Sequence, residues 1–224
     1  LLSWHSTLTA QVTHHEVDVC VYGGTASGVM AALAAEKEGA NALIIEPSRW
    51  LGGMTGGGIN HLDWGKGSTV GGSTYKILME GVKQREQKHH GGHAILGIGN
   101  KQYRERFKKL VKDRGITVIY NHRVGKVQVG DETINKPTRQ KPIAMGEKVA
   151  SKNKNNSIQS IILDYAPVDE TGCPIPEPKK RNAVTVSAKV FIDCSYEGDL
   201  LAMSGANYTW GRESREHYKE SLAG

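Results

Sequence analysis

The chain has 224 residues, enough for one sizeable core or for one domain and part of a second. With 38% apolar and 23% charged residues it has the composition of a globular protein, and no apolar run reaches the roughly 20 residues that a membrane-spanning helix needs. The net charge is +6, and much of the excess falls on Lys136, Arg139, Lys141, Lys148, Lys152 and Lys154, opposed there only by Glu147. No aromatic residue interleaves these charges, so the stretch reads as a solvated loop and not as a nucleic-acid surface.

In chain order, residues 1–15 form an arm before the first strand or the remnant of a secretory signal with a cut after Ala10, and an exported location is slightly favoured over a cytoplasmic one. Residues 17–47 read VDVCVYGGTASGVMAALAAEKEGANALIIEP. This is a buried strand, a glycine turn, an alanine-rich helix and a second buried strand that closes on an acid, the order of a nucleotide-binding βαβ unit. Gly23, Gly24 and Gly28 sit where the chain must turn sharply and let a helix start close to the sheet, so that its first amides face a pyrophosphate. Ala31, Ala32, Ala34 and Ala35 keep that helix thin, and Gly39 can end it in the left-handed conformation. Glu46 follows ~20 residues beyond the first glycine, where a carboxylate accepts from both hydroxyls of a ribose and repels a 2′-phosphate. Thr25 holds the middle place of the fingerprint, where glycine is usual and where a side chain could crowd the phosphates.

A second glycine cluster, residues 52–58, follows the ribose acid directly. Beyond it, residues 73–86 and 102–114 have helical spacing, the second ending at Gly115, and residues 116–120 are a third buried strand. Residues 124–129, 157–165 and 183–187 then read as strands separated by polar insertions, an antiparallel meander laid over the parallel sheet, and residues 190–193 re-enter that sheet. The turn from Ser195 to Asp199 is thereby delivered to the carboxyl edge, where ligands sit in open α/β sheets.

Residues 23–28 (GGTASG), 51–55 (LGGMT), 63–65 (DWG) and 192–200 (IDCSYEGDL) together resemble the FAD-dependent oxidoreductases with a glutathione-reductase type of FAD domain. The likeness is to a bacterial branch with GGTxxG in place of the usual fingerprint. It implies an α/β Rossmann-like FAD-binding domain, with a parallel sheet and an antiparallel β-meander, over residues 16–199, and the start of a substrate domain over 200–224. It also implies that the chain is cut before the family's C-terminal return, so that the missing region or a second chain completes the FAD site.

The cofactor residues that the resemblance implies are Gly23, Gly24, Thr25, Ala26, Ser27 and Gly28 at the pyrophosphate, and Glu46 with Pro47 at the adenosine ribose. Gly52, Gly53, Met54 and Thr55 would lie along the path to the flavin ring, Arg123 and Val124 at the adenine, and Ser195 close to the cofactor. The expected function is transfer of hydride or electrons between a small organic substrate and FAD. Two alternatives stay open, a nicotinamide-dependent Rossmann dehydrogenase and a non-catalytic flavin- or nucleotide-binding subunit.

Other chemistry is weakly encoded. Cys20, Cys173 and Cys194 stand far apart without a C-x-x-C pair, which argues against a zinc site or a redox disulfide, and Cys20 reads as a core residue. His89, His90 and His93 are interrupted by Gly91 and Gly92, so no metal is expected. His61, Asp63 and Trp64 follow the glycine cluster, where Asp63 could act as a base or simply make a turn with Gly65.

Overall fold

The computed structural model describes residues 12–57, 100–136, 157–208, 215–219 and 221. The expected helix at 73–86, His61, Asp63, Trp64, the three histidines near residue 90, most of the basic stretch and the first 11 residues lie outside the described residues.

The elements follow as β1 (Thr13–Tyr22), α1 (Ala26–Lys37), β2 (Ala42–Glu46), α2 (Gly53–Gly57), α3 (Asn100–Asp113) and β3 (Thr117–Tyr120). Then come β4 (His122–Val129), β5 (Glu132–Ile134), β6 (Ile158–Tyr165), β7 (Lys180–Asp193), α4 (Asp199–Met203) and α5 (Arg215–Tyr218). All seven strands join one sheet in the order β3-β2-β1-β7-β6-β4-β5. β3, β2, β1 and β7 run parallel, while β7, β6, β4 and β5 run antiparallel to their neighbours.

The sheet has two covered faces because successive side chains on a strand point to opposite sides. Cys20, Tyr22, Leu43 and Ile45 face one core with Val127, Ile161, Leu163 and Val186, which Leu200 and Met203 of α4 close. Val21, Ala42 and Ile44 face the other, against Val29 and Ala32 of α1 and Tyr103, Phe107 and Val111 of α3. Each fully buried Val, Leu, Ile or Phe among them contributes roughly 1.5–3 kcal/mol. Cys20 lies in the first core, where burial pushes its thiol up to about 12.

Two expectations are corrected. Residues 183–187 and 190–193 are not separate strands but parts of the 14-residue β7. Val184, Thr185 and Val186 pair with β1 on one side and with β6 on the other, so the meander extends the parallel sheet edge to edge and does not lie over it. The ladder with β1 runs past Lys189, pairing Ala188 with Val17 and Val190 with Val19, while the Lys189 ammonium lies 2.6 Å from Asp18 of β1. Second, β3 is not fully buried. It pairs with β2 alone at the end of the sheet, so Thr117 is exposed and Val118 to Tyr120 are half-covered.

Candidate functional site

Parallel register brings four turns to one edge. Tyr22 pairs with Ile45 and with Asp193, and Glu46 pairs with Tyr120, so the chain leaves β1, β2, β3 and β7 at the same level. The turn after β1 is built on close backbone approach. Gly23 has φ +94°, and a Cβ on it would stand 2.6 Å from the Ser195 nitrogen. A Cβ on Gly28 would stand 1.9 Å from the Gly23 carbonyl oxygen, which fixes α1 against the turn.

Glu46 is the hub. Its side chain is buried, with Oε2 accepting from the Gly24 amide at 2.7 Å and Oε1 from the Ser48 amide at 2.6 Å. A carboxylate has about four lone-pair positions, so the two amide bonds leave acceptor capacity for a further donor. Burial raises its pKa above the ordinary carboxylate value, against the hydrogen bonds from Ser48 and Gly24.

Thr25 does not crowd the edge. Its hydroxyl turns inward, donates to the Cys194 carbonyl at 2.9 Å and accepts from the Gly28 amide at 3.2 Å, serving as the N-cap of α1. It also lies 2.9 Å from the Ser27 hydroxyl, which must then be the donor, because the Thr25 proton is already spent on Cys194. With Gly28 capped, the first-turn amides of Ala26 and Ser27 have no helical acceptor and no partner among the described residues.

The second glycine turn docks on the first. The Gly52 amide donates to the Gly24 carbonyl at 2.8 Å, and Gly52 and Gly53 have φ +101° and +53°. Met54 is exposed at the mouth of this turn, Thr55 is half-covered, and Pro47 begins the connecting loop. The Met54 amide donates to the Tyr196 hydroxyl at 2.8 Å. Ser195 is spent on structure, donating through its amide and hydroxyl to Asp193 Oδ1 at 2.9 and 2.7 Å. Asp193 Oδ2 accepts from the Leu201 amide at 2.8 Å, so one aspartate holds both the turn and α4.

Sequence reading did not single out Tyr196 or Asp193. Both lie within the IDCSYEGDL stretch, but the Met54 amide that Tyr196 holds is 142 residues away, so the role of the tyrosine has no local mark. Of the two residues expected at the adenine, Arg123 donates through its guanidinium to the Ile175 carbonyl at 3.1 Å and to that of Pro176, and Val124 donates through its amide to the Tyr22 hydroxyl at 3.2 Å.

The edge fits a dinucleotide. Two uncommitted amides start a helix beside glycines that leave no side chain in the way, and a buried carboxylate with spare acceptor positions closes the next strand.

Over residues 18–151 and 175–223 the sequence matches the family described as FAD dependent oxidoreductase. No curated protein matches it in sequence. The fold is similar to that of THI4 from Thermovibrio ammonificans, at 16% identity and a TM-score of 0.50, covering 84% of this chain and 61% of that one. A geranylgeranyl bacteriochlorophyll reductase-like protein from Thermoplasma acidophilum is 16% identical, with a TM-score of 0.47 and coverage of 87% and 43%. A PqsL variant from P. aeruginosa is 13% identical, with a TM-score of 0.49 and coverage of 89% and 48%. The chain thus spans about three-fifths of the first structure and less than half of the other two.

Proposed function

The chain belongs to the FAD dependent oxidoreductase family, and on that premise we propose that it forms the cofactor-binding part of a flavoenzyme acting on a small organic substrate. One observation carries the reading. Gly24 joins both glycine turns to the ribose acid, its amide on Glu46 and its carbonyl on Gly52. A single residue thereby sets the spacing between the adenosine end and the turn that leads toward Met54.

FAD is the cofactor, and when bound it supplies a ring that accepts or returns a hydride. The protein's share is placement. The amides of Ala26 and Ser27 would carry the diphosphate, where the positive end of the α1 dipole adds to their attraction. Glu46 would hold the ribose through its spare lone pairs, and its negative charge disfavours a 2′-phosphate. Tyr196 holds the Met54 amide and keeps the second glycine turn closed against Thr25. No helix among the described residues is long and apolar enough to cross a membrane.

Release of the chromophore from the denatured full-length protein tests this. FAD is the expected product. Recovery of a nicotinamide nucleotide alone, or failure to take up added FAD, overturns the reading.

A further inference from the structure

Residues 166–176, the larger part of the 166–179 connection between β6 and β7, are built as a fixed arm. Asp169 Oδ1 accepts from the amide and hydroxyl of Thr171 at 2.8 and 2.6 Å and from the Cys173 amide at 3.1 Å. Backbone bonds from Asp169 to Cys173 and from Ile175 to Pro167, 2.8 and 3.2 Å long, close it further.

This arm reaches the ribose acid's loop at both of its ends. At one end the Ala166 amide donates to the Asn121 carbonyl at 2.9 Å, and the Asn121 amide donates to the Ser48 carbonyl at 3.0 Å. Ser48 in turn holds Glu46 Oε1. At its tip Gly172, with φ +91°, lies against Trp50, and a Cβ there would stand 3.2 Å from Trp50 Cη2. Trp50 is a fixed post, because the guanidiniums of Arg49 and Arg104 sit 4.6 and 4.4 Å from its ring centroid. The returning limb is held by Arg123, whose fork spans the successive carbonyls of Ile175 and Pro176. Those carbonyls lie outside any strand, and a guanidinium reaches two acceptors at once where an ammonium is a single point.

From this geometry we propose that the 166–176 arm covers the adenosine end of the FAD site, and that Arg123 is the positioning residue that keeps it there. The proposal rests on the FAD reading above. The arm, Asn121 and the 48–50 loop form a closed ring beside Glu46, so a nucleotide held by that carboxylate leaves past the arm.

The test compares FAD, ADP and FMN on the full-length protein and on its Arg123→Gln and Gly172→Val variants, the second reaching the same arm through a different anchor. FAD and ADP share the adenosine, and FMN lacks it. Either folded variant is expected to bind FAD and ADP about tenfold more weakly, equal to about 1.4 kcal/mol, with competition by FMN unchanged. General loosening of the domain would weaken all three alike. Equal loss for all three, or unchanged FAD and ADP binding, overturns the cover while the flavoenzyme reading stands, whereas wild-type protein that binds no FAD overturns both.

Discussion

Thr25 Oγ1 donates to the Cys194 carbonyl at 2.9 Å across 169 residues of sequence and accepts from the Gly28 amide at 3.2 Å. One hydroxyl therefore caps α1 and ties the first glycine turn to the turn after β7. Thr25→Ala removes both functions. The cap accounts for about 1 kcal/mol and the long-range bond for about 1 kcal/mol more, so denaturant unfolding should show a loss of about 2 kcal/mol. Thr25→Ser, which keeps the oxygen, should stay within a few tenths of a kcal/mol of wild type. An alanine variant as stable as wild type contradicts the staple.

Gly28 and Gly39 make a paired test of what each glycine is for. A Cβ at 28 would sit 1.9 Å from a backbone oxygen, which only displacement of α1 can relieve, whereas a Cβ at 39 meets nothing within 4 Å. Gly39→Ala should cost only the left-handed strain of φ +86°, about 1–2 kcal/mol. Gly28→Ala should cost about 3 kcal/mol or more, as overpacking against backbone does, and should abolish FAD uptake. Thermal unfolding and flavin titration of the two variants decide, and equal effects would refute the close approach.

The local parts of this architecture were legible and the long-range parts were not. Val17 to Glu46 announces itself through apolar runs and glycine punctuation, and Gly23, Gly39 and Gly115 all adopt the positive φ that their turn positions require. Residues 183–187 and 190–193 read as two strands because Ala188 and Lys189 separate their apolar runs, and only the pairing with β1, which also brings Asp18 beside Lys189, joins them into β7. Thr25 looked like an intrusion for a similar reason, since its acceptor on Cys194 comes from the far end of the sheet. The acceptors of Arg123 are equally remote, being carbonyls of a connection 52 and 53 residues further on.

Glu46→Ala should act on both ligand and fold. It removes the acceptor for the ribose and also strands the Gly24 and Ser48 amides, which now donate at 2.7 and 2.6 Å. FAD affinity should fall at least about tenfold, one decade being about 1.4 kcal/mol. The apo fold should lose about 1–3 kcal/mol, the usual cost of orphaning a buried bond. Isothermal titration and chemical unfolding measure the two effects separately. Wild-type affinity in this variant removes the ribose role from Glu46.

The pH dependence follows from the same carboxylate and one neighbour. Burial raises Glu46, and it raises Asp199 as well, where the charges of Glu197 and Asp193 add to burial and Arg123 opposes them. A carboxyl whose folded pKa exceeds its unfolded value binds more protons in the folded state between the two, so stability falls as pH rises through that interval. The interval starts near the unfolded values, about 3.9 for Asp and 4.3 for Glu, and extends upward. Asp18 and Asp169 are shifted the other way, the first by Lys189 and the second by Thr171, so their contribution is lost only as pH falls below the same unfolded values. The measurement is the change in Tm of wild type relative to a Glu46→Gln, Asp199→Asn double variant, scanned from about pH 4 to about pH 7. Wild type should lose Tm relative to the double variant as pH rises, whatever the offset between the two curves, because only wild type must ionise two shielded carboxyls. A gap that stays constant, or that moves in favour of wild type with rising pH, would mean that neither carboxyl is held above its ordinary value at this edge of the sheet.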